Sequence, residues 1–263
     1  MSNPTNTPVH VMNPQSPEGA SRGYLLRAAT EFRQWVESVA PDAVVFLCGG
    51  LALSLHGNPR QTNDADLAID LSRTRRANGR PLDTNALKQI AAQSPHFSVG
   101  PKVYWILDAH TASPKYIQVD FVDAQLYWHP FDVAQMVVSA PTLPIPVMNL
   151  PTLLVGKMKS AIERSQANQT ERILKQVNDI RDFFFALAKC TQQQLTLTAI
   201  HIQHLGATEN AALVVIRAFF QLKAFLQQNR WLTAAAVPMD YQHQWLQLIV
   251  RSGLPESFIT ACC

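Results

Sequence analysis

The chain has 263 residues, 47% hydrophobic and 16% charged, enough apolar material for one large or two modest domains, which excludes a globally disordered chain. A formal net charge of +3 is too small to identify a nucleic-acid-binding protein by charge alone. Cys48, Cys190, Cys262 and Cys263 lack metal-ligand spacing, no apolar run reaches the roughly 18 residues of a membrane span, and no basic-then-apolar leader is present, so a cytoplasmic, reduced protein is expected.

Residues 1–21, MSNPTNTPVHVMNPQSPEGAS, are rich in Pro, Asn and Ser without apolar periodicity, which predicts a flexible tail. Tyr24, Leu25, Ala28, Phe32, Trp35, Val36 and Val39 recur at three- and four-residue intervals, the pattern of an amphipathic helix that Pro41 ends. AVVFLC, residues 43–48, is a valine-rich apolar run suited to a strand covered on both faces, and Gly49-Gly50 closes it. One or two helical turns in LALSLHG, turn chemistry in NPRQTN and the period-two segment DADLAID, residues 64–70, complete the order strand, glycine turn, short helix, loop, strand.

The next loop carries Arg73, Arg75, Arg76 and Arg80 and reads as a solvated loop, with contact to acceptor phosphates as the functional alternative. A helix over 83–93 and strands in KVYWILD and YIQVDFV follow. From about residue 149 the strong patterns are helical, with apolar stripes near 150–164, 170–189, 208–227 and 241–251, and Phe183 to Phe185, Trp231 and Trp245 read as core. The prediction is an α/β domain over 22–148 and a helical domain over 149–263, divided at the proline-rich PTLPIPVMNLP.

Asp64 and Asp66 stand two apart in a strand, so their carboxylates share one face about 6.6–7 Å apart along it. Divalent ions about 3.5–4 Å apart fit between such side chains, as two-metal phosphoryl and nucleotidyl transfer requires. Asp70 shares that face but lies roughly 13 Å further along the strand, too far to join them. Gly49-Gly50 lets backbone approach a ligand closely, and the amides of a helix start favour phosphate. Together these features point to a nucleoside triphosphate and its magnesium.

Gly49-Gly50, residues 51–63, then Asp64-Ala65-Asp66-Leu67 resembles the signature of the DNA polymerase beta-like nucleotidyltransferase superfamily. Arg60-Gln61-Thr62 resembles the version found in abortive-infection type IV toxin nucleotidyltransferases and their minimal relatives. The resemblance implies a mixed α+β sheet with flanking helices and transfer of a nucleoside monophosphate from an NTP to a hydroxyl, with Mg²⁺ or Mn²⁺. It implies Asp64, Asp66 and Asp120 as metal ligands, with Asp120 also beside the acceptor hydroxyl. Gly49, Gly50, Arg60 and Thr62 would bind the nucleotide, and Lys157 and Asp179, from the next two helices, would complete the catalytic set. It leaves the acceptor open among a tRNA end, a protein hydroxyl and a small molecule.

Each residue also has a plainer reading. A lone DxD occurs at solvated strand ends, in calcium loops and in glycosyltransferases. Lys157 shares the helical stripe of Leu150, Leu154 and Ala161, where it either snorkels or meets a phosphate or carboxylate. Asp179 has Lys175 one turn earlier as a simple partner. The rival to an active transferase is an inactive protein of the same fold that binds a partner. By strand parity Asp120, and not Asp123, faces the DxD pair.

Overall fold

The computed structural model describes residues 21–75, 79–164 and 168–262. The predicted tail, apart from Ser21, lies outside these residues, as do Arg76 and Cys263. Helix α1 (Arg22–Val39) is capped by the Ser21 hydroxyl, which accepts from the Tyr24 amide at 3.4 Å. It buries Leu25, Ala28, Phe32 and Val36, as its three- and four-residue spacing predicts, against one face of the sheet.

Among the described residues the sheet has seven strands, β1 (Val44–Leu47), β2 (Ala65–Asp70), β3 (Phe97–Val99), β4 (Val103–Leu107), β5 (Lys115–Asp123), β6 (Val137–Val138) and β7 (Val147–Met148). They lie in the order β3-β4-β5-β2-β1-β7-β6. β2 runs parallel to β5 and β1 parallel to β7, while the other neighbours are antiparallel. This is the mixed sheet expected. Central β1 is buried nearly throughout, which explains its unbroken apolar run. Between β1 and β2 sits α2 (Gly49–Leu55), and α3 (Thr84–Ala92) precedes β3.

The proline-rich segment read as a divider carries part of the sheet. Val147 pairs with Leu47, and Val147 and Met148 are buried. A two-residue strand between prolines has no legible period, so its pairing emerges only from the position of β1. Two single-turn helices, α4 (Ala124–Tyr127) and α5 (Val133–Met136), are also too short for periodicity.

The helical region comprises α6 (Leu150–Glu163), α7 (Gln169–Gln192), α8 (Ala199–Leu205), α9 (Glu209–Gln228), α10 (Tyr241–Arg251) and α11 (Glu256–Thr260). α6 is the hub: it is buried on most sides by α7, α8 and α9 and also meets α2. Asn149 caps it by accepting from the Thr152 amide at 3.0 Å. Sequence periodicity missed α8 because its buried face carries His201 and His204. The His201 Nδ1 accepts from the Thr198 amide at 2.9 Å and its Nε2 lies 3.2 Å from the Thr152 hydroxyl. Burial pushes His201 down to about 4, so it packs as a neutral ring. Trp245 is core as expected, whereas Trp231 is 40% exposed, since it stands in the turn after α9.

Where α6 passes the sheet, Gly156 lies against the indole of Trp128, and a Cβ there would overlap the ring. Trp128 also stacks on His204, with centroids 4.4 Å apart. Gly156→Ala is therefore expected to destabilise the protein by about 1–3 kcal/mol, roughly 2–4 °C of melting temperature per kcal/mol for a chain of this size. Adding Trp128→Phe should return part of that loss. An unchanged melting temperature in Gly156→Ala would show that the indole does not press on α6.

Candidate active site

Parallel pairing places Asp66 opposite Asp120, in the register Ala65–Val119, Asp66–Asp120, Leu67–Phe121. Ala65, Leu67 and Ile69 are buried on the other face, so period two turns Asp64, Asp66 and Asp120 to the same side. One carboxylate oxygen from each of the three lies within 4.8 Å of the others. Asp70 stays apart, accepting from the Ser72 amide and from Gln125 Nε2.

The Asp66 carboxyl is pushed up to about 7, mainly by its burial and by Asp64 two residues before it, with Asp120 across the pair adding less and the charge of Lys157 opposing. Thr62 Oγ1 donates to Asp64 Oδ1 at 2.8 Å, and Gln118 Nε2 donates to Asp120 Oδ2 at 2.7 Å. Gln118 accepts in turn from Lys102 Nζ at 2.7 Å. An all-carboxylate donor set fits hard divalent cations such as Mg²⁺ or Mn²⁺.

Gly49 takes φ +61°, and a Cβ on it would overlap the Asp66 carboxylate. The Gly50 amide donates to Asp66 Oδ2 at 3.3 Å. A Cβ on Gly50 would come within 2.8 Å of Arg60 Nη2 and 3.0 Å of Thr62 Oγ1. The two glycines thus allow α2 to start directly against the DxD strand and the loop before it. Arg60 and Thr62 have protein partners and do not line the cleft over the carboxylates.

That cleft, of about 170 Å³, is bounded by Gly49, Asp66, Asp120, Trp128, Lys157 and Arg164 among others. Lys157 is carboxylate-paired rather than snorkelling: its side chain is only 12% exposed, with Nζ 3.0 Å from Asp179 and 2.9 Å from Asp182. Burial lowers its pKa, but Asp179 and then Asp182 outweigh burial and hold the ammonium above its usual range. Arg164 Nη2 approaches Asp179 Oδ2 at 2.7 Å. Lys175 pairs with Glu171 instead of Asp179, so the plainer reading of Asp179 does not hold.

Arg60, Asp182, Lys157, Asp179 and Arg164 therefore form a row of alternating charge from the loop before β2 to the end of α6. Burial pushes Asp182 up, but the Arg60 hydrogen bond and the charges of Lys157 and Arg60 outweigh it, leaving its carboxyl below the usual range. Sequence reasoning missed Asp182, Arg164 and Gln118. For Asp182 a signal existed: an acid three residues after Asp179, directly before Phe183, falls on a buried helix face where an unpaired charge would be intolerable. Among the basic loop residues, Arg73 and Arg75 are exposed, and Arg75 Nη1 donates to the Ser72 and Thr74 carbonyls.

A family model described as nucleotidyl transferase AbiEii toxin, Type IV TA system, matches residues 34–248. No curated protein matches the chain. Among solved structures, a similar fold is that of an antigenic nucleotidyltransferase-like protein from Paracoccidioides brasiliensis. At 17% identity and a TM-score of 0.51, the match covers 81% of this chain and 95% of the other. The family match spans the carboxylate triad, Lys157 and most of the helical region, and the chain belongs to the AbiEii nucleotidyl transferase toxin family of type IV toxin–antitoxin systems.

Proposed function

We propose that the protein transfers a nucleoside monophosphate from an NTP to a hydroxyl of an RNA, protein or small-molecule acceptor. The observation that carries this reading is the convergence of Asp64, Asp66 and Asp120 within 4.8 Å at a cleft that also holds Lys157. Three like charges kept together cost stability unless a cation is held there. Asp64 and Asp66 would hold the ion associated with the triphosphate, and Asp66 with Asp120 the second. Bound Mg²⁺ or Mn²⁺ would supply charge neutralisation at the phosphates and a lowered pKa for the acceptor hydroxyl.

The chain's own groups supply the rest. The acceptor oxygen forms its bond to the α-phosphorus as the bond to the bridging oxygen breaks in line, and pyrophosphate departs with that electron pair. Asp120 accepts the hydroxyl proton. Lys157 stabilises charge on the transferred group, held by Asp179. Gly49 and Gly50, at the start of α2, would hold the β and γ phosphates, with Arg60 and Thr62 packed behind Gly50. As in the family description, the outcome for a host cell would be toxic, through modification of the acceptor.

Mg²⁺ or Mn²⁺ together with the preferred NTP is expected to raise the melting temperature more than either alone. At a ligand concentration 100 times Kd the stabilisation is about 2.7 kcal/mol, or roughly 5–10 °C. Labelled NTPs incubated with total RNA and total protein would then identify the acceptor. Absence of a thermal shift with all four NTPs at millimolar concentration would sink the reading, while a shift without transfer would favour an inactive binding protein.

A further inference from the structure

We propose that Asp182 is a positioning residue for transfer: from α7 it sets Lys157 and, through Arg60 and Thr62, the metal-facing Asp64. This rests on the transfer reading above. The Asp182 Oδ1 accepts from Asn58 Nδ2 at 2.9 Å and from Arg60 Nε at 2.8 Å. Its Oδ2 accepts from Arg60 Nη2 at 2.8 Å and lies 2.9 Å from Lys157 Nζ. An ionised carboxylate offers about four acceptor sites, and protein donors fill them. The side chain is 1% exposed. Asp182 therefore has no acceptor capacity left for a metal, a nucleotide or a water, and it acts only through the groups it holds.

Those groups lead to the cleft by two arms. On the first, Lys157 has a long flexible stem, and acids three residues apart on one face of α7 grip its ammonium from two sides. On the second, the two-pronged hydrogen bond to Asp182 fixes the Arg60 guanidinium against Gly50, whose amide donates to Asp66. Two residues later, Thr62 donates to Asp64 Oδ1 at 2.8 Å. The loop 58–62 is thus tied to α7 at Asn58 and Arg60 and to the triad at Thr62. One carboxylate on the helical region sets the relative position of the lysine and the first metal-facing aspartate.

Asp182→Asn in the full chain keeps the side chain's size while removing its charge and one oxygen. Mn²⁺ affinity, measured by electron paramagnetic resonance without nucleotide, should fall about 10-fold, as when an outer partner of a metal ligand is lost. At saturating metal, kcat should fall about 10²-fold through misplacement of Lys157, with KM for the NTP within about threefold because ground-state contacts persist. Arg60→Lys cuts only the second arm, so it should weaken Mn²⁺ binding about as much as Asp182→Asn does. A folded Asp182→Asn protein with parental kcat or parental Mn²⁺ affinity, changed only in melting temperature, overturns the proposal. If Asp182→Asn does not fold, Arg60→Lys decides, and parental Mn²⁺ affinity there overturns it. Should the parent transfer nucleotide to no acceptor, the transfer reading fails by itself and the Mn²⁺ comparison still tests the link from Asp182 to Asp64. A parent that binds no Mn²⁺ overturns both.

Discussion

Asp66→Asn is expected to reduce nucleotide transfer by about 10²–10³-fold or more, because on the proposed reading Asp66 is the carboxylate shared by both ion positions. Metal-dependent thermal stabilisation should disappear with it. The metal-free protein should melt at the parental temperature or up to about 3 °C above it, since the substitution removes a carboxylate facing Asp120 across the parallel pair and Asp64 two residues before it. The pH dependence gives a second readout. Its carboxyl, raised from 3.8 to about 7, keeps in the native state a proton that the unfolded chain has released. This contribution to stability is full below pH of about 4 and is lost as pH rises through about 7. The asparagine variant should lack that part of the slope, so its advantage over the metal-free parent grows across this window. Transfer at the parental rate in the variant would show that Asp66 holds no ion.

Asp120→Ala should abolish transfer with little change in melting temperature, whereas Asp123→Ala should do the reverse. Asp120 is exposed at the surface of β5 and in register with Asp66, so its removal takes away charge repulsion and one hydrogen bond from Gln118. Asp123, three residues on, caps α4 by accepting from the amides of Gln125 and Leu126 at 2.9 and 3.3 Å. Losing such a cap costs about 0.5–2 kcal/mol, and α4 carries Tyr127 at the edge of the cleft, so a modest fall in rate should accompany the loss of stability. Both single variants are to be measured for labelled-nucleotide transfer and for melting temperature. Activity that survives in Asp120→Ala but disappears in Asp123→Ala would move the third carboxylate to Asp123.

The sequence alone determined those parts whose cause is local. Period-two alternation in DADLAID and YIQVDFV dictates which face each aspartate takes, and three- and four-residue apolar spacing marks α1, α6, α7, α9 and α10, because burial acts on one side of each element. The glycine pair and the DxD are adjacent enough in the chain for their geometry to follow from one turn and one strand. Tertiary structure alone decided what depends on partners distant in sequence. β7 becomes a strand because Leu47 stands beside Val147, and α8 can bury His201 because Thr152 and Thr198 meet it there. The same holds for Asp182, 122 residues from Arg60. Its chain neighbours Asp179 and Phe183 mark it as a buried acid, but which cations neutralise it depends on α6, α7 and the loop 58–62 packing together. No local pattern encodes that meeting, because ion pairing selects whatever charge the fold brings within about 4 Å.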